Sequence, residues 1–319
     1  VPLMPKANVI AVLISDLHLS LRQPSCRADK DWMAVQANYL EQVREEAGPY
    51  DRIPVLCAGD IFDRWNPPPE LINFALKHLP PKMLCVPGQH DLPNHNISDM
   101  HRSGYGVLKR AGKITDLSQC TSGGNHQCYV HKDGDFVARG FGWDQDIESP
   151  VYESLKMPQT LHIALIHKYC WMEGKSYPDA PADANVNAFR KQLKGYDVAV
   201  FGDNHKRFMT EVGKCTVVNC GGFIRRKSDE IGRKPSMGLL HSDGTVTWKR
   251  LDTSQDLFHE GEDKRDEVAV DMKDFIDELF KLGEQGLDFV EAVKNHLRDD
   301  DIKPEVKQII LKSLEANGT

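Results

Sequence analysis

Five apolar runs in the first two thirds of the chain each break off into residues able to ligate a metal, and this recurrence restricts the fold sharply. NVIAVLIS (8–15) leads to Asp16 and His18, and RIPVLCAG (52–59) leads to Asp60 and Asp63. The short run 82–86 leads to Gln89, His90 and Asp91; TLHIALIH (160–167) ends on His167; DVAVFG (197–202) leads to Asp203 and His205. Runs this short and continuously apolar read as strands covered on both faces. Helical spacing over 31–47 and a helix opened by Pro67–Pro69, carrying Leu71, Phe74, Leu76 and Leu79, separate the first three. The class is therefore α/β. In such sheets ligands bind outside the carboxyl ends of the strands, so five strand ends would deliver carboxylates, imidazoles and an amide oxygen to one place.

After 202 the pattern changes to short strands at 209–212, 215–219, 237–241 and 246–250, joined by turns such as SDG at 242–244. This reads as a meander, and 1–252 as two packed sheets with helices outside. Residues 253–267 are polar and charged, the composition of a linker. From Val268 the spacing is helical to the end: Phe275, Leu279 and Leu282 share one face, Val290, Val293 and Leu297 another, Val306, Ile310 and Leu314 a third. A small C-terminal helical region over 268–319 is expected, with apolar faces that must be buried against something.

Composition narrows the setting. At 40% hydrophobic and 27% charged, the 319 residues suit a globular protein. No apolar run is long enough to cross a bilayer, and no signal-peptide pattern is seen, so the expected location is the cytoplasm. The eight cysteines form no CxxC pair and read as reduced thiols. The net charge of -7 is uneven: residues 253–319 carry 18 acidic and 9 basic side chains, leaving about +2 on 1–252. An acidic chain overall is thus no argument against a nucleic-acid substrate for the first part.

A carboxylate can bridge two divalent cations while imidazoles complete their shells. Two such ions lower the pKa of a shared water and clamp phosphoryl oxygens, and a neighbouring histidine can protonate the leaving oxygen. The ordered set DLH, GDIFD, GQHD, a lone His and GDNH resembles the calcineurin-like metallophosphoesterase family, whose pattern is DxH, GDxxD, GNH[DE], H, GHxH. The match spans 16–205. The resemblance implies a two-sheet metallophosphoesterase sandwich over 1–252 and two divalent metal ions. It assigns Asp16, His18 and His205 to one ion, Asp60 to both, and Gln89, His167 and Asp203 to the other. His90 would act as the acid, oriented by Asp91, while Asp63 would prop its loop. Gln89 stands where the family has Asn and Asp203 where it has His. Both departures fall on the second ion and favour manganese, with magnesium the other hard cation, over zinc; a weakened second site is the alternative.

Residues 219–251, beginning NCGGFIRRK, are similar to the closing part of the SbcD-type DNA repair exonuclease branch, which includes phage versions. That resemblance implies a nuclease acting on DNA, an SMC-like ATPase partner contacted by the helical region, a homodimer in some forms, and host cytoplasm for a phage protein. Arg64, Lys206, Arg207, Arg225 and Arg226 would hold backbone phosphates. Tyr169, Trp171 and Tyr177 follow His167 in a long loop and are candidates to stack on bases. His95 and His101 follow GQHD closely enough to line a cleft, but occupy no motif position. Two other readings stay open: a small-nucleotide phosphodiesterase or phosphatase, and a binding or regulatory subunit with an impaired site.

Overall fold

Alternation of side chains along the strands builds three cores, and they dictate the layers. The computed structural model describes residues 7–48, 53–81, 83–118, 129–131, 133–150, 160–178 and 180–259. In β1 (Val9–Ile14), Leu13 points between two sheets, where it joins Leu56, Leu84, Ile163, Leu165, Val200 and Val218. Val12 and Ile14 point the other way, onto a core with Tyr39, Leu40, Val43, Leu71, Ala75, Tyr105 and Leu108. Those residues come from helices α1 (Trp32–Ala47), α2 (Pro69–His78) and α3 (Gly104–Arg110). Asp31 caps α1 by accepting from the Ala34 N–H, and Pro69 opens α2, where its missing N–H costs nothing. A third core covers the outer face of the second sheet, with Phe189, Leu193, Tyr196 and Phe201.

The strands continue as β2 (Val55–Cys57), β3 (Met83–Cys85), β4 (Ile114–Asp116), β5 (Tyr129–Val130), β6 (Phe136–Phe141), β7 (Leu161–Ile166), β8 (Val198–Phe201), β9 (Phe208–Val212), β10 (Cys215–Asn219), β11 (Ser236–His241) and β12 (Val246–Arg250). The first sheet has the order β12-β11-β1-β2-β3-β4 and the second β5-β6-β7-β8-β10-β9. β1–β4 are mutually parallel, as are β6, β7, β8 and β10. The carboxyl ends of β1, β2, β3, β7 and β8 all carry the polar clusters.

The four late strands do not form one meander. β9 and β10 are an antiparallel pair on the second sheet, whereas β11 and β12 pair antiparallel on the first, with β11 against β1. The chain changes sheets between 219 and 236, passing over the site. Of the expected linker, residues 253–259 are described and are fastened to the domain. Asp256 accepts from Arg27 Nη1 (2.9 Å), Arg225 Nη2 (2.7 Å) and Tyr39 Oη (2.6 Å), and the Phe258 ring lies under the Arg27 guanidinium. The remainder of that linker and the helical region at 268–319 lie outside the described residues. None of the described helices is long and apolar enough to cross a membrane. The described cysteines, 26, 57, 85, 170, 215 and 220, are all free thiols.

Candidate metal centre

Asp16, His18, Asp60 and His167 are at most 4% exposed, so their polar atoms are costly to leave without partners. Yet, among the described residues, Asp16 Oδ2, Asp60 Oδ2 and His18 Nδ1 find no hydrogen-bond partner. Asp60 Oδ2 stands 3.7 Å from His18 Nε2 and 3.5 Å from His167 Nε2, between the two rings. His18 Nε2 and His205 Nε2 face each other at 3.1 Å. Two nitrogens about 2.1 Å from a single ion in tetrahedral or octahedral geometry stand roughly 3.0–3.4 Å apart. One set of ligand atoms that converge within 4.8 Å comes from Asp16, His18 and His205, and another from Asp16, Asp60 and His167. Gln89 closes the second group: its Oε1 meets His167 Nε2 at 2.7 Å and its Nε2 donates to Asp203 Oδ1 at 2.7 Å. The donor set and the orphaned oxygens fit two cations sharing Asp60.

Backbone geometry aims these side chains. Asp16, His18, Asp60 and Asp203 all have positive φ, at 52°, 45°, 53° and 76°. Asp and His enter this region more readily than other non-glycine residues, but it is uncommon for them too, and four together call for a force from their surroundings. Interlocking loops supply that force: the His18 N–H donates to Asp60 O (3.0 Å), the Asp16 N–H to Gly59 O (3.0 Å), and the Asp203 N–H to Asp16 Oδ1 (2.9 Å). At Gly88 a Cβ would collide with Asp60 Oδ1 and the His167 ring, so only glycine admits the GQHD loop this close. His167 is held by its Nδ1, 2.6 Å from Ala58 O, which directs Nε2 into the site.

Burial pushes the Asp16 carboxyl up to about 7, with the Asp60 charge adding to it and His167 opposing. Burial also acts against charge on Asp60, but the His167 ring, followed by His18, holds its carboxyl well below the usual range. His167 is raised well above an ordinary histidine: burial lowers it, and Asp60 more than reverses that. His18 and His205 are lowered by burial, leaving neutral imidazoles suited to ligation.

His90 is exposed at the mouth, its ring edge-on to His18 with centroids 4.9 Å apart. Its Nδ1 lies 2.8 Å from Asp63 O and its backbone N–H donates to Asp60 Oδ1 (3.0 Å). Asp91 does not orient it. The Asp91 carboxylate is fully buried and accepts from the N–H groups of Ile61 (3.1 Å), Phe62 (3.1 Å) and Gly88 (3.0 Å), so it ties the GDIFD loop to the GQHD loop. Asp63 does prop its loop: its carboxylate takes Arg226 Nη1 at 2.7 Å and stands 3.9 Å from His18 Nδ1.

The basic candidates divide. Arg226 sits at the site, its buried Nε without a partner among the described residues, and Arg64 is exposed after GDIFD. The other three are committed to the fold. Lys206 donates to Ser176 O (2.6 Å) and covers the Tyr177 ring; Arg207 bonds Ser236 and covers Trp248; Arg225 pairs with Asp256. Tyr169 and Trp171 are likewise used within their loop, Tyr169 Oη accepting from the Tyr177 N–H and Trp171 Nε1 donating to Pro181 O. Two neighbours carried no sequence signal. Glu230 Oε1 is 3.9 Å from His205 Nδ1, while its other oxygen accepts from the Arg226 N–H (2.7 Å). Trp143 packs beside His167, ring centroids 6.4 Å apart.

The model of the calcineurin-like phosphoesterase family matches residues 11–207. No curated protein matches the chain significantly. Among solved structures, the protein TT1561 of Thermus thermophilus is similar at 12% identity and a TM-score of 0.44, over 77% of this chain and 100% of that one. An archaeal phosphodiesterase is similar at 12% identity and a TM-score of 0.38, over 76% of this chain and 99% of that one.

Proposed function

The chain belongs to the calcineurin-like phosphoesterase family, and on that premise we propose that it is a metal-dependent nuclease hydrolysing phosphodiester bonds of DNA. The observation that carries the hydrolytic reading is Asp60 Oδ2, buried between His18 and His167 with no hydrogen-bond partner among the described residues. Asp16, His18 and His205 would hold one ion, Gln89, His167 and Asp203 the other, and Asp60 both. Divalent cations there would polarise the phosphoryl group and lower the pKa of a water between them. The oxygen donors of Gln89 and Asp203 favour manganese or magnesium.

The chain's own groups do the remaining work. His90, anchored at Nδ1 on the Asp63 carbonyl, presents its other nitrogen for proton donation to the leaving oxygen. Arg226 stands where its guanidinium can leave Asp63 for a phosphate, a bidentate partner of equal charge. The similarity of 219–251 to the DNA repair exonuclease branch supports DNA as substrate, and an SMC-like ATPase as a partner met through 268–319. A second reading, a small-nucleotide phosphodiesterase, is favoured by the commitment of Lys206, Arg207 and Arg225 to the fold, which leaves only Arg64 and Arg226 of the five candidates for a long phosphate backbone.

The test is hydrolysis by the full chain of linear and circular DNA, with and without manganese, beside bis-(p-nitrophenyl) phosphate and a cyclic nucleotide. Manganese-dependent release of nucleotides from DNA is expected. Turnover of the small diesters alone would replace the nuclease by the second reading, and no turnover of any substrate would reject both.

A further inference from the structure

A sixth strand end reaches the site. β6 (Phe136–Phe141) is parallel to β7, the strand that ends on His167, and runs on through Gly142 to Trp143. The Trp143 N–H donates to Pro87 O (2.9 Å), which fixes this end against the loop that carries Gln89 and His90. Trp143 is half-buried, beside the His167 ring and therefore on the Gln89–Asp203 side of the centre. The exposed His95 ring meets Trp143 at 73°, centroids 6.1 Å apart, so the two rings form an open-angled corner. Asn94, His95 and Asp144, which flank this contact, all have positive φ (50°, 57° and 62°).

A corner of two π faces next to a phosphoryl-transfer centre suits a flat heterocycle attached to the phosphoester. Aromatic stacking is tolerant of which base it receives and works beside charge. Resting on the phosphodiesterase reading above, we propose that Trp143 and His95 form a subsite for the nucleobase of the substrate, on the second-ion side of the centre, opposite Arg226. The enzyme would then distinguish nucleotide esters from other phosphoesters by the ring adjoining the scissile phosphate, without reading its sequence.

The subsite is tested by equilibrium binding to the full, manganese-loaded chain of two probes, thymidine 5′-monophosphate and deoxyribose 5-phosphate, the second carrying a hydroxyl at C1 in place of the base. The wild type should bind the nucleotide at least about tenfold more tightly. Trp143→Ala and His95→Ala should bring the two probes to within about twofold by weakening the nucleotide alone, and Trp143→Phe should keep most of the preference. Equal binding of both probes by the wild type, or parallel weakening of both in Trp143→Phe and His95→Ala, would overturn the subsite. Hydrolysis of bis-(p-nitrophenyl) phosphate reports separately on the centre itself. If that diester is cleaved without any base preference, the subsite fails and the phosphoesterase stands; base-dependent binding without cleavage gives the reverse.

Discussion

His90 and Asp91 are neighbours in sequence and opposite in environment, and their substitutions should fail in different ways. His90 is exposed, and its backbone N–H bond to Asp60 survives truncation of the ring, so His90→Ala should leave the melting temperature nearly unchanged. Its kcat on phosphodiesters should fall about 10²–10⁴-fold, the usual worth of a positioned proton donor. Asp91 satisfies three buried backbone N–H groups. Asp91→Ala strands them, each at roughly 1–3 kcal/mol, so its signature should be a large loss of stability in denaturant unfolding. A variant that keeps full stability while losing proton donation would restore Asp91 to the orienting role that its sequence position suggests.

At the level of loops and strands, Gly88 and Asp256 govern two junctions. Gly88→Ala would push the GQHD loop away from Asp60 and His167; metal analysis should find less than the wild-type content on a chain that is still folded. Asp256 fastens residues 253–259 to α1 and to the loop after β10. Burial works against its charge, yet hydrogen bonds from Arg27, Tyr39 and Arg225 hold its carboxyl below the usual range. A depressed folded pKa means that this stabilisation is complete above the unfolded value of about 3.9 and is lost as pH falls through the folded one. Asp256→Ala should cost about 3 kcal/mol at neutral pH, the scale of breaking a buried pair, and progressively less as pH falls through the folded pKa. The strand ends with their metal ligands were legible in the sequence because each follows an unbroken apolar run. β6 was not: Arg139 interrupts its run, and only the structure shows that side chain 4% exposed and paired with Glu148. Losing β6 hid Trp143 as well, since the rule that points to strand ends had no strand to apply to. The commitment of Lys206, Arg207 and Arg225 was equally illegible, because their partners at 176, 236 and 256 lie far along the chain.

For the molecule as a whole, strand ends from both sheets converge on buried carboxylates and imidazoles, so cation binding and folding should be linked. Manganese at about 100 times its dissociation constant would add about 2.7 kcal/mol for one site, a rise of several degrees in Tm for a domain of this size. Chelation should reverse it, and Asp60→Asn should abolish most of it. A Tm indifferent to manganese and chelator would contradict the shared role of Asp60.

The left-handed backbone at Asp16, His18, Asp60 and Asp203 also sets how this protein would respond to selection. Glycine there would relax the backbone, but it would strand the buried N–H groups that Asp16 Oδ1 and Asp60 Oδ1 accept, loosen the unfolded chain and remove the cation-linked stabilisation, so these four positions offer no route to a hardier protein. A stabilisation campaign that screens for turnover should find its gains everywhere except there.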